Sequence, residues 1–408
     1  MRRVIISGGG TGGHVFPAIA IANELTSRVK EIKILFIGAK GRMEMEKVPA
    51  AGFHIEGLTI SGFQRRLTLK NLTFPFKLLG SLLKARTIIS KFKPDVVIGV
   101  GGYASGPTLR IATARGIPSL IQEQNSFPGV TNRILGNRVQ KICVAYEGMN
   151  KYFPAEKIVL TGNPIRQEVL QIVGKTEEAQ QFFGLNPDRK TILVVGGSLG
   201  AGTINQAILK FVNDFPAEGS FLKTPGVSNH NITDLQILWQ TGKNYFDNIN
   251  ASFPRQKSYN QKAENSGQSQ KSTVANRSKP ETGTDNLVIL PFIDRMDLAY
   301  AAADLIVSRA GAIAISELCV IGKPVILIPS PNVAEDHQTK NALFLVNRNA
   351  AILVRDFDAI EKLGITIIAT LADVVLQSEL KKNIAELGIT DAAARIADEV
   401  LKLGKDNE

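Results

Sequence analysis

The residues Val4-Ile5-Ile6-Ser7-Gly8-Gly9-Gly10-Thr11-Gly12-Gly13 decide the fold of the first half of this 408-residue chain. The apolar residues predict a buried strand, and the glycines after them predict a tight turn into a helix. The second half opens in the same way at Leu193-Val194-Val195-Gly196-Gly197-Ser198-Leu199-Gly200-Ala201-Gly202. Two such openings in a chain of this length predict two domains of one architecture.

Short runs rich in valine and isoleucine alternate with helical patterns along both halves. Such strands are typical of a parallel sheet covered on both faces, so we predict an α/β fold with two doubly wound, Rossmann-like domains. The predicted strands of the first half are Arg3–Ser7, Lys33–Ile37, Val96–Val100, Ser119–Gln122, Ile142–Ala145 and Ile158–Leu160. Those of the second half are Thr191–Val195, Gln236–Trp239, Leu287–Leu290, Leu305–Val307, Val325–Ile328 and Ile352–Val354.

Two polar segments interrupt the second series of strands. Residues 251–285 contain Val274 as their only valine, isoleucine or leucine, and a shorter polar segment covers 213–234. A stretch of this kind buries too little apolar surface to offset the entropy of ordering it. Because the strand at 287–290 resumes the sheet, we expect both segments to be surface insertions.

The charge of the chain points to anionic partners. The formal net charge is +11, and residues 57–94 carry eight basic residues, no acidic one and many leucines. This composition fits an anionic membrane surface, and it fits equally a helix that packs on a sheet with a basic outer face. Nucleic-acid motifs are absent from the sequence, two cysteines fit a reducing compartment, and the longest apolar runs are too short to span a membrane.

The first glycine turn matches the dinucleotide pattern GxGxxG, but its context does not. A nicotinamide-binding domain needs an acidic residue at the end of the second strand to hold the ribose. Here that strand ends Phe36-Ile37-Gly38-Ala39-Lys40, without a carboxylate. A dehydrogenase is therefore disfavoured, and the turn is interpreted as backbone amides at a helix amino end, which form an anion site.

Polar residues follow three strands of the first half. His14 closes the first turn, where it either bonds to the backbone or helps to deprotonate a reacting hydroxyl. A second glycine turn, Gly101–Pro107, contains Tyr103, and Glu123 and Asn125 follow the next strand. Ligands bind at the carboxyl ends of parallel strands, so both loops should face a cleft between the domains, although loop capping alone would also explain Glu123 and Asn125.

The second half offers a similar set. Arg166 either clamps a phosphate or pairs on the surface, and Ser198 lies in the second glycine turn. Glu317 lies in a helix that a glycine turn opens, where it either accepts ribose hydroxyls or faces solvent. A polar cluster at 335–341 includes Gln338. Asp356-Phe357-Asp358 is interpreted as a turn or cap, and with no Cys/His cluster we expect no metal and no cofactor.

Six motifs in this order resemble the MurG family of N-acetylglucosaminyltransferases. They cover the chain from about residue 2 to about residue 400 and are Gly9–Pro17, Gly101–Pro107, Gln122–Asn125, Gly162–Arg166, Gly196–Ala201 and Ser308–Glu317. The resemblance implies a GT-B fold, with the acceptor domain at 1–162 and the donor domain at 163–390 facing each other across a cleft. Residues 391–408 would form a helix that packs back on the first domain.

The resemblance also implies roles for individual residues. His14 is the first candidate for the general base and Glu123 the second, and His14 and Tyr103 would contact the acceptor. The implied donor contacts are Thr11, Gly12, Gly13, Asn125, Arg166, Ser198, Ile293, Ala312, Ile313, Glu317 and Gln338. Among them Glu317 would hold the ribose, the Ile293 backbone the uracil, and Asn125 with Gln338 the sugar. Thr339 departs from family members that carry a second glutamine there.

The implied reaction is an inverting transfer of N-acetylglucosamine from UDP-N-acetylglucosamine to the muramoyl 4-hydroxyl of lipid I, undecaprenyl-pyrophosphoryl-MurNAc-pentapeptide, to give lipid II. The implied location is peripheral, at the cytoplasmic face of the cell membrane, with cell-wall or division proteins as possible partners. Alternatives are another UDP-sugar transferase that acts on a lipid, a UDP-sugar epimerase, and an inactive nucleotide-sugar scaffold. The basic apolar segment disfavours the epimerase, and the full set of site residues disfavours the scaffold.

Overall fold

A computed structural model describes residues 2–60, 74–197, 199–214, 235–253 and 286–405. The predicted insertions at 213–234 and 251–285 lie outside these residues except at their first positions, as does Ser198. Within the described residues, two parallel sheets account for every strand. The predicted α/β fold with two Rossmann-like sheets is confirmed.

The first sheet has seven strands in the order β3-β2-β1-β4-β5-β6-β7. Its strands are β1 (Arg3–Ser7), β2 (Lys33–Ala39), β3 (His54–Leu58), β4 (Val96–Gly99), β5 (Ser119–Glu123), β6 (Lys141–Val144) and β7 (Ile158–Leu160). Its helices are α1 (Gly12–Arg28), α2 (Glu44–Ala50), α3 (Phe74–Phe92), α4 (Ser105–Ala114) and α5 (Val130–Gly136). The prediction missed β3, because this edge strand alternates polar His54 and Glu56 with apolar residues and lacks a continuous apolar run.

The second sheet has six strands in the order β10-β9-β8-β11-β12-β13. Its strands are β8 (Lys190–Val195), β9 (Leu235–Gln240), β10 (Leu287–Leu290), β11 (Leu305–Ser308), β12 (Val325–Leu327) and β13 (Ile352–Leu353). The helices of this half are α6 (Thr176–Phe183), α7 (Gly202–Asp214), α8 (Lys243–Ala251), α9 (Met296–Ala302), α10 (Ala312–Ile321), α11 (His337–Val346), α12 (Ala359–Ala372), α13 (Val374–Ala385) and α14 (Ala392–Lys405).

Both faces of each sheet are buried, as the apolar strands require. In β1, Val4 and Ile6 pack with α1, whereas Ile5 between them packs in the cluster on the opposite face. In β8, Leu193 likewise faces one core, and Ile192 and Val194 face the other. This alternation of period two fixes the register of each sheet and so the position of the loops at its carboxyl edge.

The last helix, α14, lies far from the second sheet. Its buried face belongs to the apolar cluster of β1 and α1 and consists of Ile396, Ala397, Val400 and Leu403. Asp398 also pairs with Arg28 of α1 at 2.6 Å. The end of the chain thus covers the first sheet, while the domain boundaries at residues 162 and 390 stay predictions.

Candidate active site

The two glycine turns of the first sheet touch each other. Strands β1 and β4 are neighbours, so their carboxyl ends lead into adjacent loops. A Cβ atom on Gly102, which has φ +83°, would lie 2.2 Å from the carbonyl oxygen of Gly9. No side chain fits at position 102, so glycine there lets the backbones of the two turns meet in one continuous surface at this end of the sheet.

His14 lies beside the contact between the two turns, and one of its ring nitrogens is hydrogen-bonded. Its Nδ1 lies 3.1 Å from the Gly9 carbonyl oxygen, which can only accept, so Nδ1 carries the hydrogen and Nε2 keeps a lone pair. Nε2 faces Gly101, where an added Cβ would lie 2.9 Å away. Burial lowers the pKa of His14 below the ordinary 6.5, so the imidazole is neutral at neutral pH. A neutral imidazole with a free lone pair has the form of a general base.

The other first-turn residues and Tyr103 lie at the rim. Thr11, which precedes α1, is exposed, and its hydroxyl lies 3.3 Å from His14 Nδ1. Gly12 and Gly13 are the first two residues of α1, where helical backbone amides lack partners within the helix. Tyr103 is 46% exposed, which leaves its ring available to a ligand.

Glu123 holds the loop that follows β5. Its buried carboxylate accepts hydrogen bonds from the backbone N–H and the side-chain amide of Asn125, from the Gly129 N–H and from Asn132, at 2.9–3.2 Å. Burial raises the pKa of Glu123, and these hydrogen bonds oppose that rise. The visible role of the carboxylate is to fix the loop, and its role as a base stays a prediction.

Asn341 of α11 ties this loop to the second half. Its Oδ1 accepts from the Ser126 N–H and hydroxyl, both at 3.0 Å, and its Nδ2 donates to Asn125 Oδ1 at 3.2 Å. A second bridge runs from Asn163 to Ser316 of α10 at 3.0 Å. The carboxyl edges of the two sheets therefore face each other, as predicted, with Asn125 at their junction.

Arg166 and Glu317, both predicted to contact the donor, are paired with each other. The guanidinium donates from Nε and Nη2 to the two carboxylate oxygens, each at 2.7 Å, and Tyr300 adds a hydrogen bond at 3.1 Å. Burial alone would lower the pKa of Arg166, but the bonds to Glu317 raise it. Glu317 is nearly fully buried and Arg166 is half-exposed, so Arg166 must move aside or share the carboxylate before a ligand bonds to Glu317.

The remaining predicted donor contacts line the carboxyl edge of the second sheet. Helix α10 begins at Ala312 and Ile313 after Gly311, so their amides point into the cleft without helical partners. Gln338 accepts a hydrogen bond from the Ser330 N–H at 2.8 Å, which leaves its NH₂ group for a ligand. The N–H of buried Ile293 donates to Gln240, so the Ile293 carbonyl is the backbone group left to bind a nucleobase.

The roles of three polar residues that shape the site were missed by the sequence analysis, although Asn341 lies in the predicted polar cluster at 335–341. Gln240 joins the second glycine turn to the β10 loop through the Gly197 carbonyl and the Ile293 N–H. Asn341 joins the two halves, and Glu44 accepts the Gly10 N–H at 2.8 Å. Gln240 ends a strand, so the rule that found Asn125 could have found it. Glu44 and Asn341 lie within helices, where polar residues are ordinary.

The Asp-x-Asp sequence is not part of a metal site in the described residues. Asp356 begins a single 3-10 turn, Asp356–Asp358, pairs with Arg309 and accepts from Thr203. Groups of three or more histidine, cysteine or acidic side chains arranged to hold a metal are not found in the described part of the chain.

Two facing Rossmann-like sheets with a cleft between their carboxyl edges define the GT-B class of nucleotide-sugar enzymes. The N-terminal domain of glycosyltransferase family 28 matches residues 4–144, and the C-terminal domain of that family matches residues 191–400. A curated protein of Flavobacterium psychrophilum is 48% identical over 98% of this chain and 97% of its own length. One of Parabacteroides distasonis is 50% identical over 98% of both.

Both relatives are named UDP-N-acetylglucosamine--N-acetylmuramyl-(pentapeptide) pyrophosphoryl-undecaprenol N-acetylglucosamine transferase. The chain belongs to glycosyltransferase family 28 and, within it, to the MurG family, which confirms the resemblance drawn from the six motifs. The solved structure of MurG from Acinetobacter baumannii is 27% identical, with a TM-score of 0.72 over 98% of this chain and all of that one. A UDP-GlcNAc 2-epimerase from Neisseria meningitidis, 15% identical with a TM-score of 0.60 over 98% of this chain and all of that one, shares the fold alone.

The contact between the glycine turns predicts a specific loss of stability. Gly102→Ala should lower the free energy of unfolding by about 2–4 kcal/mol, because its methyl group meets the Gly9 backbone at a positive φ. The matched control is Gly116→Ala, which has φ +71° with open space around it and should cost about 1 kcal/mol. Urea unfolding measures both, and equal losses would show that the turns do not touch.

Proposed function

We propose separate roles for the residues of the candidate active site in an enzyme that transfers N-acetylglucosamine from UDP-N-acetylglucosamine to lipid I and forms lipid II. Near-full-length relatives of 48–50% identity carry this activity in their names. The observation that carries the proposal is His14, whose Nδ1 bonds to the Gly9 carbonyl and whose Nε2 keeps a lone pair at the carboxyl edge of the first sheet. The first sheet would supply the base and the acceptor site, and the second would hold the donor.

The donor lies along the second sheet in this proposal. The amides of Ala312 and Ile313 meet the diphosphate, because a helix amino end carries partial positive charge. Glu317 accepts the ribose hydroxyls, and Arg166, which now covers Glu317, turns its guanidinium to the phosphates. The Ile293 carbonyl accepts from uracil, while Asn125 and Gln338 contact the sugar from opposite sides of the cleft. Ser198, Thr11, Gly12 and Gly13 stay predicted donor contacts.

Chemistry follows from the position of His14. The acceptor 4-hydroxyl, held beside Tyr103, attacks the anomeric carbon and gives its proton to His14 Nε2. The bond from that carbon to the diphosphate breaks, and its electron pair leaves with UDP, which inverts the configuration. Arg166 and the α10 amides stabilise the charge that develops on the diphosphate. General base catalysis of this kind contributes about 10²–10⁴-fold in rate.

Helix α3 presents an apolar face for a membrane. Phe76, Leu79 and Leu83 are 77%, 57% and 57% exposed, and their spacing places them on one side of the helix. Its other side buries residues such as Ile89 in the core. No helix in the described ranges is long and apolar enough to cross a membrane. The exposed apolar face of α3 and the basic residues of 57–94 support docking, in this proposal, on the anionic cytoplasmic face of the membrane. Association with cell-wall or division proteins stays a prediction.

Donor and acceptor choice test the function directly. The purified protein should move labelled N-acetylglucosamine from its UDP ester to a short-chain lipid I analogue and should leave UDP-galactose unused. His14→Gln should slow the transfer about 10²–10⁴-fold by removing the base. The matched control is His54→Gln, an exposed histidine on β3, which should keep the wild-type rate. Transfer of galactose, or release of UDP without an acceptor product, would contradict the assignment.

Membrane docking can be tested by placing negatively charged residues on the exposed face of α3. Leu79→Asp with Leu83→Asp should weaken binding to phosphatidylglycerol vesicles at least tenfold, since an exposed leucine that enters the interface contributes about 1.5–3 kcal/mol. Val374→Asp with Val375→Asp is the matched control, because these valines, at the start of α13, are even more exposed than the two leucines. Co-sedimentation measures the binding. A similar loss in both pairs would show that α3 is not the docking face.

A further inference from the structure

A buried carboxylate lies beneath the first glycine turn. Glu44, at the start of α2, is 1% exposed. Its Oε2 accepts the Gly10 N–H at 2.8 Å, and its Oε1 accepts the Ala39 N–H at 2.9 Å. Acceptance at both oxygens is the behaviour of an ionised carboxylate. The turn that resembles an anion site therefore already holds an anion of its own.

This carboxylate connects to His14 through a single peptide group. Glu44 accepts from the N–H of the Gly9–Gly10 peptide, and the carbonyl of the same peptide accepts from His14 Nδ1 at 3.1 Å. A hydrogen bond at one end of a peptide group polarises it and strengthens the bond at the other end. Carboxylate, peptide and imidazole thus form a chain that ends at the free Nε2.

The packing leaves little room for the hydrogen-bonded series of Glu44, the peptide group and His14 to move. Gly9 has φ +144°, and a Cβ atom there would lie 2.2 Å from the Glu44 carboxylate. On the far side of the ring, a Cβ on Gly101 would lie 2.9 Å from Nε2. The sequence keeps glycine at both positions. The imidazole is therefore confined between the peptide and the second turn.

Two titratable groups act on His14 from the elements around it. Burial lowers the pKa of His14 most, and the hydrogen bond to the Gly9 carbonyl raises it; of the titratable groups, His337 at the start of α11 lowers this pKa and Glu44 of α2 raises it. The carboxylate thus opposes the loss of basicity that burial causes. A base that is buried but still basic suits proton transfer near neutral pH.

We propose that Glu44 is a positioning residue for the transfer, acting through the Gly9–Gly10 peptide. It holds His14 in the tautomer with a free Nε2 and stabilises the imidazolium as the acceptor hydroxyl gives up its proton. The proton moves from the 4-hydroxyl to Nε2, the oxygen bonds to the anomeric carbon, and UDP leaves with the electron pair. The proposal rests on the proposed role of His14 as the base.

The test is a double-mutant cycle between Glu44→Gln and His14→Gln. Glu44→Gln should lower kcat about tenfold and move the acid limb of the pH–rate profile to lower pH, because the imidazolium loses its negative partner. In the His14→Gln background the same change should alter kcat less than twofold. Affinity for UDP should stay constant, since the proposed contacts of the uracil, the ribose and the diphosphate at Ile293, Glu317 and Ala312 lie in the second half. Glu46→Gln, an exposed residue of the same helix turn, is the matched control.

Distinct outcomes separate this inference from the proposed function. Equal effects of Glu44→Gln in both backgrounds, or an unmoved acid limb, would overturn the inference while the function stands. An unaffected rate in His14→Gln would overturn the base and the inference together. If Glu44→Gln does not fold, ¹⁵N NMR of the wild-type protein still tests the inference through the tautomer of His14. A protonated Nδ1 and a bare Nε2 on neutral His14 are expected, and the opposite tautomer would refute the relay.

Discussion

The contact between the backbones of Gly9 and Gly102 is the constraint on which the site depends. Parallel strands bring the carboxyl ends of β1 and β4 side by side, and glycine at position 102 lets the two backbones meet. The Gly9 carbonyl at this contact accepts the hydrogen bond that orients His14. The contact thereby decides which imidazole nitrogen keeps its lone pair.

The two glycine turns look alike in sequence but differ in chemistry. The first covers a buried carboxylate, so the Gly10 amide is already occupied. The second, at Gly196–Gly200, is joined to its neighbouring loop through the neutral amide of Gln240. A negative group beneath the first turn stabilises the positive charge that His14 gains when it takes a proton from a hydroxyl. The difference matches a first half that supplies the base and a second half that holds the donor diphosphate.

Much of this architecture could be predicted from sequence, because apolar strands followed by glycine turns are local signals. The edge strand β3 escaped prediction since His54 and Glu56 break its apolar pattern. Arg166 and Glu317 were each expected to contact the donor, but their mutual ion pair spans 151 positions and has no local signature. The roles of Glu44 and Asn341 were missed for the same reason, because their partners are chosen by the packing of distant loops.

Determining the structure of the protein with UDP-N-acetylglucosamine bound tests the central claim most directly. We expect the diphosphate at the amides of Ala312 and Ile313 and the ribose on Glu317 in place of Arg166. The anomeric carbon should lie where the 4-hydroxyl of an acceptor, bonded to His14 Nε2, could reach it. A nucleotide bound instead at the Gly8–Gly13 turn, with the Arg166–Glu317 pair intact, would contradict the account.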